Sequence, residues 1–168
     1  MSTARLVTGI FKSRLAAESA VDTLMKHGYS RDEISVLISD KTRSKEFALQ
    51  TKSHAAGGAG IGGAVGGVVG SILAALVAVG TTIALPGIGL VIAGPIAAVL
   101  AGAGAGGATG GIIGALIGAG IPEYRAKVYE AGLQSGGILL GVEPRTDADA
   151  ERLEKTFGDL GAEHIRQE

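Results

Sequence analysis

From Ala55 to Pro122 the chain runs for 68 residues without one Asp, Glu, Lys, Arg or His. No other feature narrows the possible folds so much, because a segment that cannot be charged anywhere must be covered by protein, by lipid or by another copy of itself. It holds 21 Gly, 17 Ala and 23 Leu, Ile or Val, with only Ser71, Thr81, Thr82 and Thr109 as hydroxyl residues. A flexible glycine linker is polar and lacks branched aliphatics in this number. A secretory signal is shorter and N-terminal. Apolar helices are the reading that remains.

The punctuation divides the block. Pro86-Gly87 and Gly94-Pro95 bracket its middle, leaving a first helix over about 57–80 and a second over about 95–120. At about 1.5 Å per residue each is long enough to cross a hydrocarbon layer, which takes about 20 apolar residues. The sequence therefore predicts a transmembrane helical hairpin at 55–122. Its connector, Thr81 to Gly94, is itself apolar, which suits a buried re-entrant turn better than a loop in water.

Laid on itself with a shift of 44 residues, the block repeats. Ala59–Gly70 (AGIGGAVGGVVG) matches Ala103–Gly114 (AGAGGATGGIIG), and all six glycines coincide. Gly58, Gly62, Gly66 and Gly70 recur every fourth residue, as do Gly102, Gly106, Gly110, Gly114 and Gly118. Steps of four draw one slowly drifting stripe along a helix. A stripe without side chains is a groove for another backbone, so these nine glycines are the expected helix-packing residues, arranged as a glycine zipper. Each interior glycine costs about 1 kcal/mol of helix propensity, which close contact must offset. The zipper implies a homo-oligomer.

Charge sets the expected topology. Lys41, Arg43, Lys45 and Lys52 precede the block, and Arg125 and Lys127 follow it. With an even number of spans, the positive-inside rule puts both termini in the cytoplasm, at an inner membrane whose lipid is the first expected partner. A soluble oligomer that buries the zippers is the alternative.

The flanks, 1–54 and 123–168, read as two halves of one soluble head. Ala4–Phe11 is strand-like. Ser13 is placed to cap a helix with Ala17, Ala20, Val21 and Leu24 on one face, Gly28 to close it, and Ile34–Ser39 to form a second strand. The plan recurs with Gly137–Glu143, a helix over Thr146–Leu160 carrying Ala150, Leu153, Phe157 and Leu160 inward, and a last strand over Ala162–Gln167. Glu123–Ser135 is a further helix, either continuing the second span or docked beside the head. The expected class is α+β: a ferredoxin-like βαβ plus αβαβ head of four strands, interrupted by the hydrophobic hairpin. Residues 1–54 carry nine basic and six acidic side chains and residues 123–168 six and ten. Net +3 against −4 draws the halves together.

Three stretches of the chain resemble a known group. VTGIFKSRLAAESAVDTLMKHGYSRDEISVL, from Val7, is similar to the N-terminal βαβ module of bacterial general stress and low-temperature-induced proteins. ALPGIGLVIAGPIAAVLAG and GIPEYRAKVYEAGLQSGGILLGV resemble the rest of that group, with Ile121-Pro122-Glu123 and Tyr129–Gly132 the most specific pieces. The resemblance implies a bacterial stress-response protein with a glycine-rich apolar core. It implies no reaction.

Site motifs give little. Gly58–Gly63 and Gly102–Gly107 both fit G-x-G-x-x-G, yet neither follows a strand nor has an acid about 20 residues on, as a dinucleotide site needs. There is no Cys, which removes thiolate chemistry and Cys-based metal sites. His27, His54 and His164 stand far apart, and no His/carboxylate spacing marks a metal site. Asp147, Asp149, Glu151 and Glu154 read as a solvated helix face. With 15 basic and 16 acidic residues and no Trp, nucleic acid is not an expected partner. No catalytic residue, metal ligand or cofactor is expected. The expected function is non-enzymatic: a stress-associated membrane protein that self-associates, its head serving regulation or an unidentified protein partner. The alternatives are a ligand-sensing head anchored by the hairpin, and an accessory subunit of a larger membrane complex.

Overall fold

The computed structural model describes residues 6–42, 83–85, 90–97, 106–118 and 120–167. Strand β1 (Val7–Phe11) leads into helix α1 (Arg14–Lys26), a 3-10 turn (Arg31–Glu33) and strand β2 (Ile34–Ser39), which ends in one helical turn, Asp40–Thr42. Strands β3 (Ile83–Leu85) and β4 (Leu90–Ala93) precede helices α2 (Gly106–Gly118) and α3 (Glu123–Gln134). Strand β5 (Ile138–Val142), helix α4 (Asp147–Asp159) and strand β6 (Glu163–Gln167) complete the order.

Local signals in the two flanks place their elements well. Ser13 Oγ accepts from Ala16 N at 3.2 Å and starts α1, whose inward Ala17, Ala20, Val21 and Leu24 are all fully buried. Thr146 caps α4 through Asp149 N at 3.1 Å, with Ala150, Leu153 and Phe157 inward. Gly28 takes φ +88 as α1 closes, the left-handed conformation that ends helices at low steric cost.

The six strands form one sheet in the order β3-β4-β2-β5-β1-β6, each neighbouring pair antiparallel. The fold is therefore mixed helix and strand with an antiparallel sheet, as the α+β expectation held. β5, from the second flank, lies between β1 and β2, from the first. Side chains alternate in strict period two. Val7, Phe11, Ile34, Val36, Ile38, Ile138, Leu140 and Val142 face α1 and α4 in one core, while Ile10, Leu37 and Leu139 face α2 and α3 in a second. Helices thus cover both faces.

The middle of the uncharged block departs from expectation. Its connector forms two strands, and β4 pairs with β2 from Val36↔Ala93 to Ser39↔Leu90. Among the described residues the sheet has six strands, rather than the four expected of the head. The reason is chemical: β2 offers an open edge, and Leu-Val-Ile-Ala is a β-forming run that satisfies it. Gly94, at φ +88, makes the exit possible, because a Cβ there would collide with Ile34 O. Ser35 Oγ then accepts from Ile96 N at 3.2 Å as residues 95–97 turn helical.

The second apolar helix also differs. Within α2, Gly111 has φ 63 and ψ −153, a combination open to glycine alone, so Gly106 and Gly110 precede a break that Gly114 and Gly118 follow. Over Gly106–Gly118 the four-residue stripe is therefore interrupted at Gly111. Beyond the break, Ile112 and Leu116 pack into the second core with Ile92, Ile96, Ala97 and Ile121, leaving Ile117 and Gly118 exposed. Glu123–Ser135 docks beside the head, with Ala126, Tyr129 and Leu133 buried. Among the described residues no helix is long and apolar enough to cross a membrane. The first expected helix, 57–80, with Gly58, Gly62, Gly66 and Gly70, lies outside the described residues, as do Gly102 and His54.

Candidate functional site

Two polar constellations stand out against this apolar frame. The first is buried. Thr8 on β1 and Tyr129 on α3 share a hydrogen bond of 2.5 Å, Thr8 Oγ1 to Tyr129 OH, and both residues are fully enclosed. Arg125, one turn earlier on α3 and 7% exposed, donates to Tyr129 OH and to His164 O, the latter at 2.8 Å. Its guanidinium carbon stands 5.0 Å from the Tyr129 ring centroid. Placing an arginine here costs desolvation, which these hydrogen bonds and the ring offset.

The carbonyl that Arg125 holds belongs to an unusual residue. Between Thr8↔Arg166 and Ile10↔Glu163 the β1–β6 register shifts, so His164 and Ile165 together oppose Gly9. His164 takes φ 54, the left-handed conformation that glycine ordinarily supplies at the first position of such a bulge. Gly9 lets the bulge close: a Cβ there would lie 3.0 Å from Phe157 Cδ2 and 3.1 Å from Ala162 Cβ.

Above this bulge a cavity of about 600 Å³ opens between α3 and the β1–β6 edge. Ile10, Val128, Ala131, Gly132 and Gly137 make its apolar wall, and Lys12, Ser135, Glu163 and His164 its polar part. Lys12 Nζ and Glu163 Oε1 pair at 2.6 Å. Ser135 Oγ is already engaged, donating to Ala131 O at 2.7 Å. The two glycines keep α3 close to β1: a Cβ at Gly132 would stand 2.5 Å from Ile10 Cδ1, and one at Gly137 2.9 Å from Ile10 Cγ2.

The second constellation is a clasp between the two flanks on the other face of the sheet, the one covered by α1 and α4. Tyr29 OH donates to Asp149 Oδ2, while Arg145 spreads over the Tyr29 ring at 4.7 Å. The Arg145 guanidinium donates to Gly28 O at 2.9 Å and to both Glu33 oxygens at 3.0 Å. Burial, then the Asp149 hydrogen bond, pushes the Tyr29 hydroxyl up to about 12. Its hydrogen bond in turn holds the Asp149 carboxyl below the usual range. Ser30 N and then Arg145 do the same for Glu33. This is a structural clamp between the flanks.

Of the residues singled out by sequence, Gly106, Gly110, Gly114 and Gly118 lie on α2, and His27 caps α1 far from His164. Asp149, expected on a solvated face, is half-buried in the clamp. Arg125 entered the sequence reading as a basic flank and Tyr129 within a family-specific run, but their network carried no advance signal, because Thr8 and Tyr129 are 121 residues apart and Arg125 and His164 are 39 apart. Among the described residues no group of three His, Cys, Asp or Glu could hold a metal ion.

Residues 7–84 match the heat induced stress protein YflT domain. The matched stretch is 78 of the 168 residues, and supports the general stress protein resemblance and a stress-associated role. No curated protein and no solved structure gives a match. The YflT-like stretch carries β1, α1 and β2 and ends within β3. In this chain β1 and β2 are not paired with each other, because β5, from beyond the match, lies between them.

Proposed function

We propose that the chain is a non-enzymatic stress-associated protein that works by self-association, its ferredoxin-like head roofed by part of its own glycine-rich block. The head reading is supported by the order β2-β5-β1-β6 of the strands from the two βαβ units, the order in which two such units interleave. The observation that carries self-association is the outer side of α2. Ile112 and Leu116 turn into the core, whereas Gly114 is half-exposed, Gly118 exposed and Ile117 44% exposed, a small-residue surface that a second helix can approach closely.

The pairing of β4 with β2 favours the oligomer over the twice-spanning hairpin. A hairpin crossing at 57–80 and again at 95–120 would carry residues 83–93 to the far side of the bilayer. Here residues 90–93 are hydrogen-bonded to the head. The block is thus read as held on one side, its ridges buried by other copies of the chain.

Light scattering on the purified full chain, with and without Gly114→Leu and Gly118→Leu, tests this. Both positions reach the surface, so the variants are expected to fold and to dissociate. A wild-type monomer, or an oligomer indifferent to both, removes the proposal. In fractionated cells an alkaline wash is expected to release the protein, and retention in the pellet would restore the spanning hairpin.

A further inference from the structure

The cavity between α3 and the β1–β6 edge has an organisation that the clamp lacks. Its wall is apolar, from Ile10, Val128 and Ala131, and its volume of about 600 Å³ lies within the range of small-molecule sites. At its mouth stand one cation and one anion, Lys12 and Glu163, 2.6 Å apart. They are 74% and 46% exposed, so their mutual attraction is screened and cheaply given up.

The mouth is also built. Glu163 and His164 sit at the bulge of β6, which would not form at a histidine without support. That support is the fully buried Tyr129 and nearly buried Arg125, both directed at His164 O, the tyrosine at 3.2 Å. A buried charge and a strained residue are spent together on the geometry of one rim, and strain of this kind collects at sites that bind.

We propose that this cavity binds a zwitterion with a large apolar body, namely an α-amino acid with an aromatic or branched side chain. The carboxylate takes Lys12 Nζ, the ammonium takes a Glu163 oxygen, and the side chain lies against Ile10, Val128 and Ala131. Charge matching decides the class. A lone anion entering the mouth would leave Glu163 beside it without a partner, and a lone cation would leave Lys12, whereas a zwitterion exchanges one ion pair for two and leaves neither charge uncompensated. Nothing in this depends on how chains associate.

Ligand-observed NMR on the full chain, with L-phenylalanine, phenylacetate and phenethylamine as probes, tests it. L-phenylalanine is expected to bind at least fivefold tighter than either single-charge analogue. Lys12→Gln should bring its affinity down to that of phenethylamine, and Glu163→Gln down to that of phenylacetate. Ala131→Leu, an exposed position on α3 that also lines the cavity, should abolish binding of all three. His164→Gly keeps the left-handed backbone without strain and so should fold with an unchanged or higher Tm. Its L-phenylalanine affinity should remain within threefold if the bulge, rather than the imidazole, shapes the mouth. Equal binding of the three probes, no binding of L-phenylalanine at millimolar concentration, or indifference to both charge variants would each overturn the assignment.

Discussion

At the residue scale the stability of this protein depends on hydroxyls and charges that sit where apolar atoms would be expected. Tyr129 is the plainest case. Its OH serves Thr8, Arg125 and His164 O at once. Tyr129→Phe therefore leaves several buried polar atoms short of a partner, at a cost of about 1–3 kcal/mol, measurable as a lower midpoint in urea with an unchanged slope. Gly94 belongs to the same scale. Gly94→Val combines a positive φ with a collision at Ile34 O, so β4 should detach. Hydrogen exchange would report it as lost protection along β2, since Val36 to Ser39 is where β4 pairs. The sequence marked Gly94 as punctuation beside Pro95 and Tyr129 as part of a family-specific run, but neither for these contacts. A buried hydroxyl network has no local period, and a glycine that permits close approach looks like any of the 28 others in the chain until the neighbouring backbone is placed.

At the element scale the clamp joins the 3-10 turn before β2 to the start of α4, and its titration has a defined sign. The Asp149 and Glu33 carboxyls titrate below their ordinary values, so the stability they lend is present above the unfolded pKa and is lost as pH falls through the folded one. Tyr29 behaves oppositely. Raised from 10.0 to about 12, it contributes fully below pH 10.0 and loses that contribution as pH rises towards about 12. Tyr29→Phe should flatten the alkaline arm of a stability profile and make the acid arm shallower, because Asp149 loses the hydrogen bond that holds its carboxyl down, with a loss near neutrality of about 1.5 kcal/mol. A profile unchanged above pH 10 would show that the tyrosine proton plays no part. The individual helices and strands of the flanks were legible because caps and periodicity are local: Ser13, Thr146 and Ile34–Ser39 fall where the pattern puts them. The docking of Asp149 against Tyr29 was not, since 120 residues separate them.

On the scale of the whole molecule, the glycine-rich block and the head are one packing unit in their described parts. Ile92, Ile96, Ala97, Ile112 and Leu116 share a core with Ile10, Leu37 and Leu139. Removing residues 55–122 should therefore uncover an apolar sheet face and free the β2 edge, giving a head that aggregates or binds a hydrophobic dye. A monodisperse, cooperatively melting head would mean the block is dispensable to the fold. The similarity to the heat induced stress protein YflT domain covers only residues 7–84, less than the sheet requires, because β5 and β6 lie outside it.

By itself the sequence determined which residues must avoid water and which local elements form, because hydrophobic period, capping side chains and glycine spacing act within a few residues. It determined the βαβ plan of each flank and the apolar character of 55–122. It did not determine what that apolar character would be used for. Length and hydropathy fit a bilayer and a protein interior equally, since both reward the same removal of surface from water. Only tertiary structure decided that Leu90–Ala93 completes an edge of the head's own sheet, that α2 breaks at Gly111 and turns Ile112 and Leu116 onto that sheet, and that an arginine is buried to hold one histidine's carbonyl. Each of those outcomes rests on partners far away in sequence, and on backbone hydrogen bonds that carry no side-chain signature.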